Sequence, residues 1–199
     1  MEEILQAFER QEYEKVVGLV SANPLSQVID PDQPIIPYAV AALSHFETGH
    51  YSSAIMYSTK LAMHMTEYED TTEGKQLFED MINIAVNSYY KLNKRYEGLG
   101  FVVRLQSNPE GQSPFVTSLQ ERILNDATKL LHDRLNYTIL AVTLLSFFSK
   151  TVGITGLANT ILSFTIVFIC FFSVFARKAI FSWLKKIVLG FARRSLKRD

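Results

Sequence analysis

Four histidines, one cysteine and a short acidic stretch are the residues whose types could support chemistry in this sequence. The closest approach to a metal site is His64 followed by Glu67 and Asp70, because imidazole and carboxylate groups are zinc ligands. An acidic stretch after a helix is more often a solvated loop, so we expect no metal. Cys170 lies inside an uncharged apolar run, where its reactive thiolate form would be costly.

Motifs of the common enzyme classes do not occur in the sequence. Gly98-x-Gly100 follows a predicted helix rather than a strand, which does not fit a dinucleotide-binding loop. The chain has no Walker sequence, no G-x-S-x-G elbow and no H-E-x-x-H pair. We therefore expect a protein that is not an enzyme, with no catalytic residue and no cofactor, and we turn to its binding surfaces.

The charge of the chain is divided between its two halves. From Arg134 to the end there are ten Lys and Arg residues and one acid, Asp199. The whole chain is formally neutral, so residues 1–133 carry the balancing excess of acids. A basic segment of this kind predicts an anionic partner. Because the basic half is also the apolar half, a membrane is favoured and nucleic acid is disfavoured.

Two apolar runs predict a membrane hairpin. Residues 154–176 are 23 uncharged residues, and a helix of that length covers about 34 Å, enough for a hydrocarbon core of about 30 Å. The shorter run, 135–149, lies between Arg134 and Lys150 and would cross only if those side chains snorkel or the bilayer thins. A re-entrant or interfacial segment is the alternative for this run.

Such a hairpin would place both chain termini on the same side of the membrane. The basic residues after position 176 outnumber the single Lys150 between the two runs, so the positive-inside rule predicts cytosolic termini. The acidic N-terminus has no secretory signal pattern. We expect an integral protein of a bacterial inner membrane or of the outer membrane of a eukaryotic organelle.

The tail, 177–199, has the pattern of an amphipathic helix. One stripe holds Ile180, Leu184, Ile187, Val188 and Phe191 at helical spacing. This pattern predicts a helix that lies at an anionic bilayer surface, while a membrane-disrupting peptide is the rival interpretation. The membrane-surface residues are predicted to be Arg177, Lys178, Trp183, Lys185, Lys186, Arg193, Arg194 and Lys197.

The front of the chain contains repeated pairs of amphipathic helices. In "IPYAVAALSHFETGHYSSAIMYSTKLA" the pattern G-x-Y-x-x-A is met by Gly49, Tyr51 and Ala54. A second match is "AVNSYYKLNKRYEGLGFVVRLQSNP" around Tyr96, and a third surrounds Tyr13. These segments resemble tetratricopeptide repeats. The resemblance implies a solenoid of helical hairpins whose tyrosines pack between the helices and whose concave groove binds partners.

The layout of the whole chain is similar to that of the mitochondrial fission adaptor family, with repeats followed by a basic membrane anchor. The closest stretch is "NIAVNSYYKLNKRYEGL" followed by "SNP". A two-segment anchor departs from that family's single span. The expected fold is all-α, a tetratricopeptide-like helical domain over 1–112, a connecting helix over 113–134, a membrane hairpin over 135–176 and a basic interfacial helix over 177–199.

The connecting helix is expected to continue into the first apolar run, because no Gly or Pro occurs between Pro114 and Gly153. Ser113 is a suitable N-cap, and Pro114 suits the first helical position.

The predicted partner-binding groove is apolar. An apolar groove suits an amphipathic helix, either from a partner or from the chain's own N-terminus (Ile4, Leu5, Phe8), and a packed core is the alternative. The Lys and Asn residues that would clamp a terminal carboxylate in chaperone-binding repeats are replaced by residues such as Ala39 and Leu43. The predicted groove residues are Ile36, Ala39, Leu43, Phe46, Met81, Ile84, Ser88 and Lys91.

These features predict an adaptor that binds a cytosolic protein through its groove and holds it at an anionic membrane. The alternative is a membrane-active effector or small channel, of toxin or antiviral type, whose helical domain gates oligomerisation. A permanent subunit of a larger membrane complex is a third interpretation, and homo-oligomerisation stays open.

Overall fold

The computed structural model describes residues 2–23, 25, 35–65, 71–107, 113–151 and 177–195, and every regular element in these ranges is a helix. The all-α class predicted from the sequence is therefore confirmed for the described part of the chain. The eight helices are α1 (Glu2–Glu9), α2 (Tyr13–Ala22), α3 (Ile36–Glu47), α4 (Tyr51–His64), α5 (Thr72–Lys91), α6 (Arg95–Ser107), α7 (Pro114–Thr151) and α8 (Arg177–Ser195).

The same turn joins α1 to α2, α3 to α4 and α5 to α6. Its second residue has a positive φ: 59° at Gln11, 79° at Gly49 and 58° at Asn93. The amide of each of these residues donates to the carbonyl oxygen three residues earlier, and the next amide donates to the oxygen five residues earlier. This pair of hydrogen bonds is the Schellman motif, which ends a helix with one left-handed residue.

Each turn also starts the next helix in the same way. The residue after the left-handed position accepts the first hydrogen bond of that helix, from Val16, Ala54 and Gly98 respectively. In the third pair, Arg95 therefore occupies the position that Tyr51 occupies in the second pair. The sequence match placed Tyr96, one residue later, at that position. The left-handed residue of the third turn is Asn93 rather than its neighbour Lys94, since a short polar side chain tolerates that conformation better than a long one.

Helix contacts follow the order of the chain from α1 to α6. Each of these helices packs on the next, and two further contacts join α1 to α3 and α3 to α5. The buried side chains include Leu61 of α4, Met65 just after it, Phe78 and Ile82 of α5 and Leu99 of α6. Burial of such residues from water is the main source of stability for these helices.

Helix α7 runs without interruption from Pro114 to Thr151, as the absence of Gly and Pro predicted. Its start is capped as expected, because the Ser113 hydroxyl accepts a 3.2 Å hydrogen bond from the Val116 amide. The chain divides into two compact units, one of residues 1–121 with 192–199 and one of residues 122–191. The division falls within α7.

Within the described residues, no helix combines the length and the apolar character needed to cross a membrane. The predicted full span, 154–176, lies outside the described residues. The shorter predicted segment, 135–149, forms the last part of α7.

Candidate binding groove

A groove of about 410 Å³ lies along α1, α3 and α5 in the first unit. These are the first helices of the three pairs, and the contacts of α3 with α1 and α5 bring them together. The groove has a mostly apolar lining with a few polar groups, which is the usual character of a ligand site. The apolar lining is Phe8, Ile36, Ala39, Val40, Leu43, Leu77, Met81 and Ile84, and the polar lining is Asp80, Asn83 and Asn87.

The structure brings five of the eight predicted groove residues together: Ile36, Ala39, Leu43, Met81 and Ile84. The other three lie elsewhere. Phe46 packs edge-on against Tyr51 with ring centroids 5.8 Å apart, Ser88 is fully buried and Lys91 is exposed at the end of α5. The groove therefore lies nearer the start of α5 than the sequence predicted.

Helix α1 contributes one side chain to the groove lining. Ile4 and Ala7 are buried, while Phe8 lines the groove and packs edge-on against Tyr13 at 5.9 Å. The N-terminal helix, one of the two occupants considered from the sequence, thus contributes lining to the groove. Its apolar spacing identified an amphipathic helix but not the side of the groove on which it packs.

One edge of the groove is polar, and all of that edge comes from α5. Asp80, Asn83 and Asn87 are separated by three and four residues, so they lie along one side of the helix. Gln76 Nε2 donates a 3.1 Å hydrogen bond to Asp80 Oδ1. Sequence reasoning missed this edge because exposed Asp and Asn residues on an amphipathic helix resemble an ordinary solvated face.

A second cluster of titratable groups packs α3 against α4. His45 stacks on Tyr57 with ring centroids 5.5 Å apart, and Tyr38 meets Tyr57 edge-on at 6.5 Å. His45 Nδ1 is buried without a hydrogen-bond partner in the described part of the chain. Burial, and secondarily His50, lowers the pKa of His45 from its ordinary value. Burial, and secondarily Tyr38, raises the pKa of Tyr57.

Helix α8 divides the single apolar stripe predicted for it. Leu184, Val188 and Ala192 are buried, whereas Trp183 is 60% exposed and Phe191 is 48% exposed. The helix therefore has an apolar side covered by protein and a neighbouring apolar side that is exposed.

The predicted membrane-surface cations of α8 are only partly described. Lys186, Arg193 and Arg194 are exposed, and Lys185 Nζ lies 5.5 Å from the centroid of the Phe181 ring, a cation–π distance. Arg177 and Lys178 belong to the helix, and Lys197 lies outside the described residues.

The part of α7 between residues 135 and 144 exposes five large apolar side chains. The exposed fraction is between 39% and 72% for each member of this set. A water-soluble surface rarely carries a continuous apolar segment of this kind, so these side chains are suited to a lipid or protein contact. The exposed residues are Leu135, Tyr137, Leu140, Val142 and Leu144.

No three His, Cys, Asp or Glu side chains in the described ranges are placed to hold a metal ion. Glu67 and Asp70 of the acidic stretch, and Cys170, lie outside those ranges. No protein-family model matches the chain, and the comparisons with curated proteins and with solved structures gave no match either. The function is therefore inferred from the groove, the exposed apolar surfaces and the charges of this chain.

Proposed function

We propose that the protein is a membrane-anchored adaptor that binds a cytosolic partner in the groove of α1, α3 and α5. The observation that carries the proposal is the groove itself. It is mostly apolar with a polar edge, has a volume of about 410 Å³ and is built from the first helix of each pair. Apolar grooves between helices commonly receive an amphipathic helix from a partner.

The three identical turns support a solenoid of tetratricopeptide-like hairpins. Left-handed residues at positions 11, 49 and 93 repeat the same hydrogen bonds, so the three hairpins share one turn geometry. The contacts of α3 with both α1 and α5 are those expected if the first helices stack. Stacking of this kind produces the extended binding surface of repeat proteins.

The exposed apolar side chains support attachment to a membrane. Tyr137, Leu140 and Leu144 are at least half exposed on the part of α7 that precedes the predicted span. Trp183 is exposed on α8 close to Lys186, as in helices that lie at a lipid surface. In this proposal, residues 135–176 form the membrane hairpin and α8 contacts anionic headgroups.

Site-specific photocrosslinking in native membranes tests the adaptor function. A photoreactive amino acid replaces Ile36, which lines the groove and is 55% exposed, and in a matched control it replaces Met56, which is 41% exposed on α4 and does not line the groove. We expect a discrete protein adduct from position 36 and none of the same mass from position 56.

Equal adducts from the two positions, or none from position 36 in any membrane preparation, would contradict groove binding. The same protein is then mixed with dye-filled anionic liposomes. Release of the dye would favour the membrane-active effector, and stable binding without release would favour the adaptor.

A further inference from the structure

Each of the three helices that form the groove carries a net negative charge. Acidic residues outnumber Lys and Arg by three to none on α1, by one to none on α3 and by three to two on α5. Among the described residues that line the groove, Asp80 is the only charged one. A partner with positive charge is therefore favoured by the potential around the groove and by the group at its edge.

The polar edge has the spacing of a helix-binding surface. Asp80 and Asn87 are seven residues apart, which corresponds to about 10 Å along α5, or about two helical turns. Beside them, Leu77, Met81 and Ile84 supply apolar lining with the same periodicity. A ligand helix that lies along α5 would meet an apolar strip and a polar strip side by side.

The polar groups specify what the partner must present. Gln76 donates to only one of the two carboxylate oxygens of Asp80, so the carboxylate retains acceptor capacity for a cation. Asn83 and Asn87 offer amides that both donate and accept hydrogen bonds. A helix with lysine or arginine on one flank and large aliphatic anchors on its face matches both strips.

We propose that the groove receives about two turns of a basic amphipathic helix from a partner protein, with a lysine or arginine of that helix paired to Asp80. This inference rests on the proposed function and adds the charge and secondary structure of the partner. Acidic helices and small uncharged apolar ligands are the alternatives that the experiment must separate.

The probes are two helical peptides of about 14 residues with the same leucine anchors, one carrying lysines on its flanks and the other glutamates. Each is labelled and titrated against the full-length protein by fluorescence anisotropy, in phosphatidylcholine nanodiscs to limit adsorption of the peptides to lipid. We expect the lysine peptide to bind about tenfold or more tightly than the glutamate peptide.

The variant Asp80→Lys reverses the charge at the edge of the groove. Its matched control is Glu73→Lys, an equal change of net charge at an exposed position of α5 that does not line the groove. Asp80→Lys should change the ratio of the two peptide affinities by about tenfold, which removes or inverts the preference for the lysine peptide. Glu73→Lys should change that ratio by less than about threefold.

Three results would overturn the inference: equal binding of the two peptides, equal effects of the two variants, or saturation of the groove by an uncharged fatty alcohol with no binding of either peptide. These results are distinct from a failure of the proposed function. A crosslinked partner at position 36 together with peptides that bind without charge preference would retain the adaptor and reject only the basic helix.

Discussion

Helix α5 and the end of α7 both carry large apolar side chains, but they expose them very differently. Phe78 and Ile82 of α5 are at most 1% exposed, whereas Leu140 and Tyr137 of α7 are 55% and 72% exposed. The reason is the number of neighbours, since α5 contacts α3, α4 and α6. Apolar content alone thus does not show whether a helix is covered by protein or requires another environment.

The largest effect should come from removing a buried ring. Phe78→Ala should lower the free energy of unfolding by about 3–5 kcal/mol, because it removes apolar contacts and leaves a cavity. Leu140→Ala should change the same quantity by less than about 0.5 kcal/mol, because that side chain has few protein contacts to lose. Denaturant unfolding followed by circular dichroism measures both. Similar losses of stability in the two variants would show that the Leu140 side chain is packed against protein.

Two glycines give the next contrast, since one is closely packed and the other is open. A Cβ on Gly98 would lie 3.0 Å from the Tyr89 Cβ, while a Cβ on Gly190 would meet nothing within 4 Å. Gly98→Ala should therefore destabilise the protein by about 1–3 kcal/mol. Gly190→Ala should stabilise α8 by about 0.5–1 kcal/mol through higher helix propensity.

Thermal unfolding measures the first glycine variant, and amide exchange in α8 measures the second. If Gly98→Ala were neutral, α5 and α6 would be able to separate slightly. If Gly190→Ala were destabilising, that side of α8 would be in contact with another surface.

The smallest effect should be the pH dependence contributed by His45. Its pKa is lowered in the folded protein by burial and by His50, so the unfolded chain binds the proton more readily. The stability that neutral His45 contributes should be fully present above about pH 6.5 and should decrease as the pH falls below that value. His45→Phe keeps a ring beside Tyr57 and should flatten this part of the stability curve. His132→Gln is the control, and an unchanged slope in His45→Phe would assign the pH dependence to another group.

The sequence predicted the helices well because their periodicity and their breaks are local properties. The continuous α7 follows from the lack of Gly and Pro after Pro114, and the cap at Ser113 follows from its position before that helix. Five of the predicted residues line the groove, as expected if the first helices of paired repeats face one side, and their role in binding stays a prediction. These features depend on neighbours in the chain.

What the sequence could not predict depends on contacts between distant segments. The exception is local: the register of the third hairpin was wrong by one residue, because backbone hydrogen bonds at Asn93 determine where α6 begins. The polar edge at Asp80 was missed because only the approach of α1 and α3 makes it the border of a groove. The predicted apolar stripe of α8 is only partly buried, because tertiary contacts cover Leu184 and leave the neighbouring apolar side exposed.

The repeated turn implies which connections of the chain cannot change in length. Each connection within a hairpin has three residues, at 10–12, 48–50 and 92–94. An insertion within a hairpin would disrupt both hydrogen bonds of its Schellman motif. Epitope tags and fluorescent reporters should therefore be rejected at the three short turns.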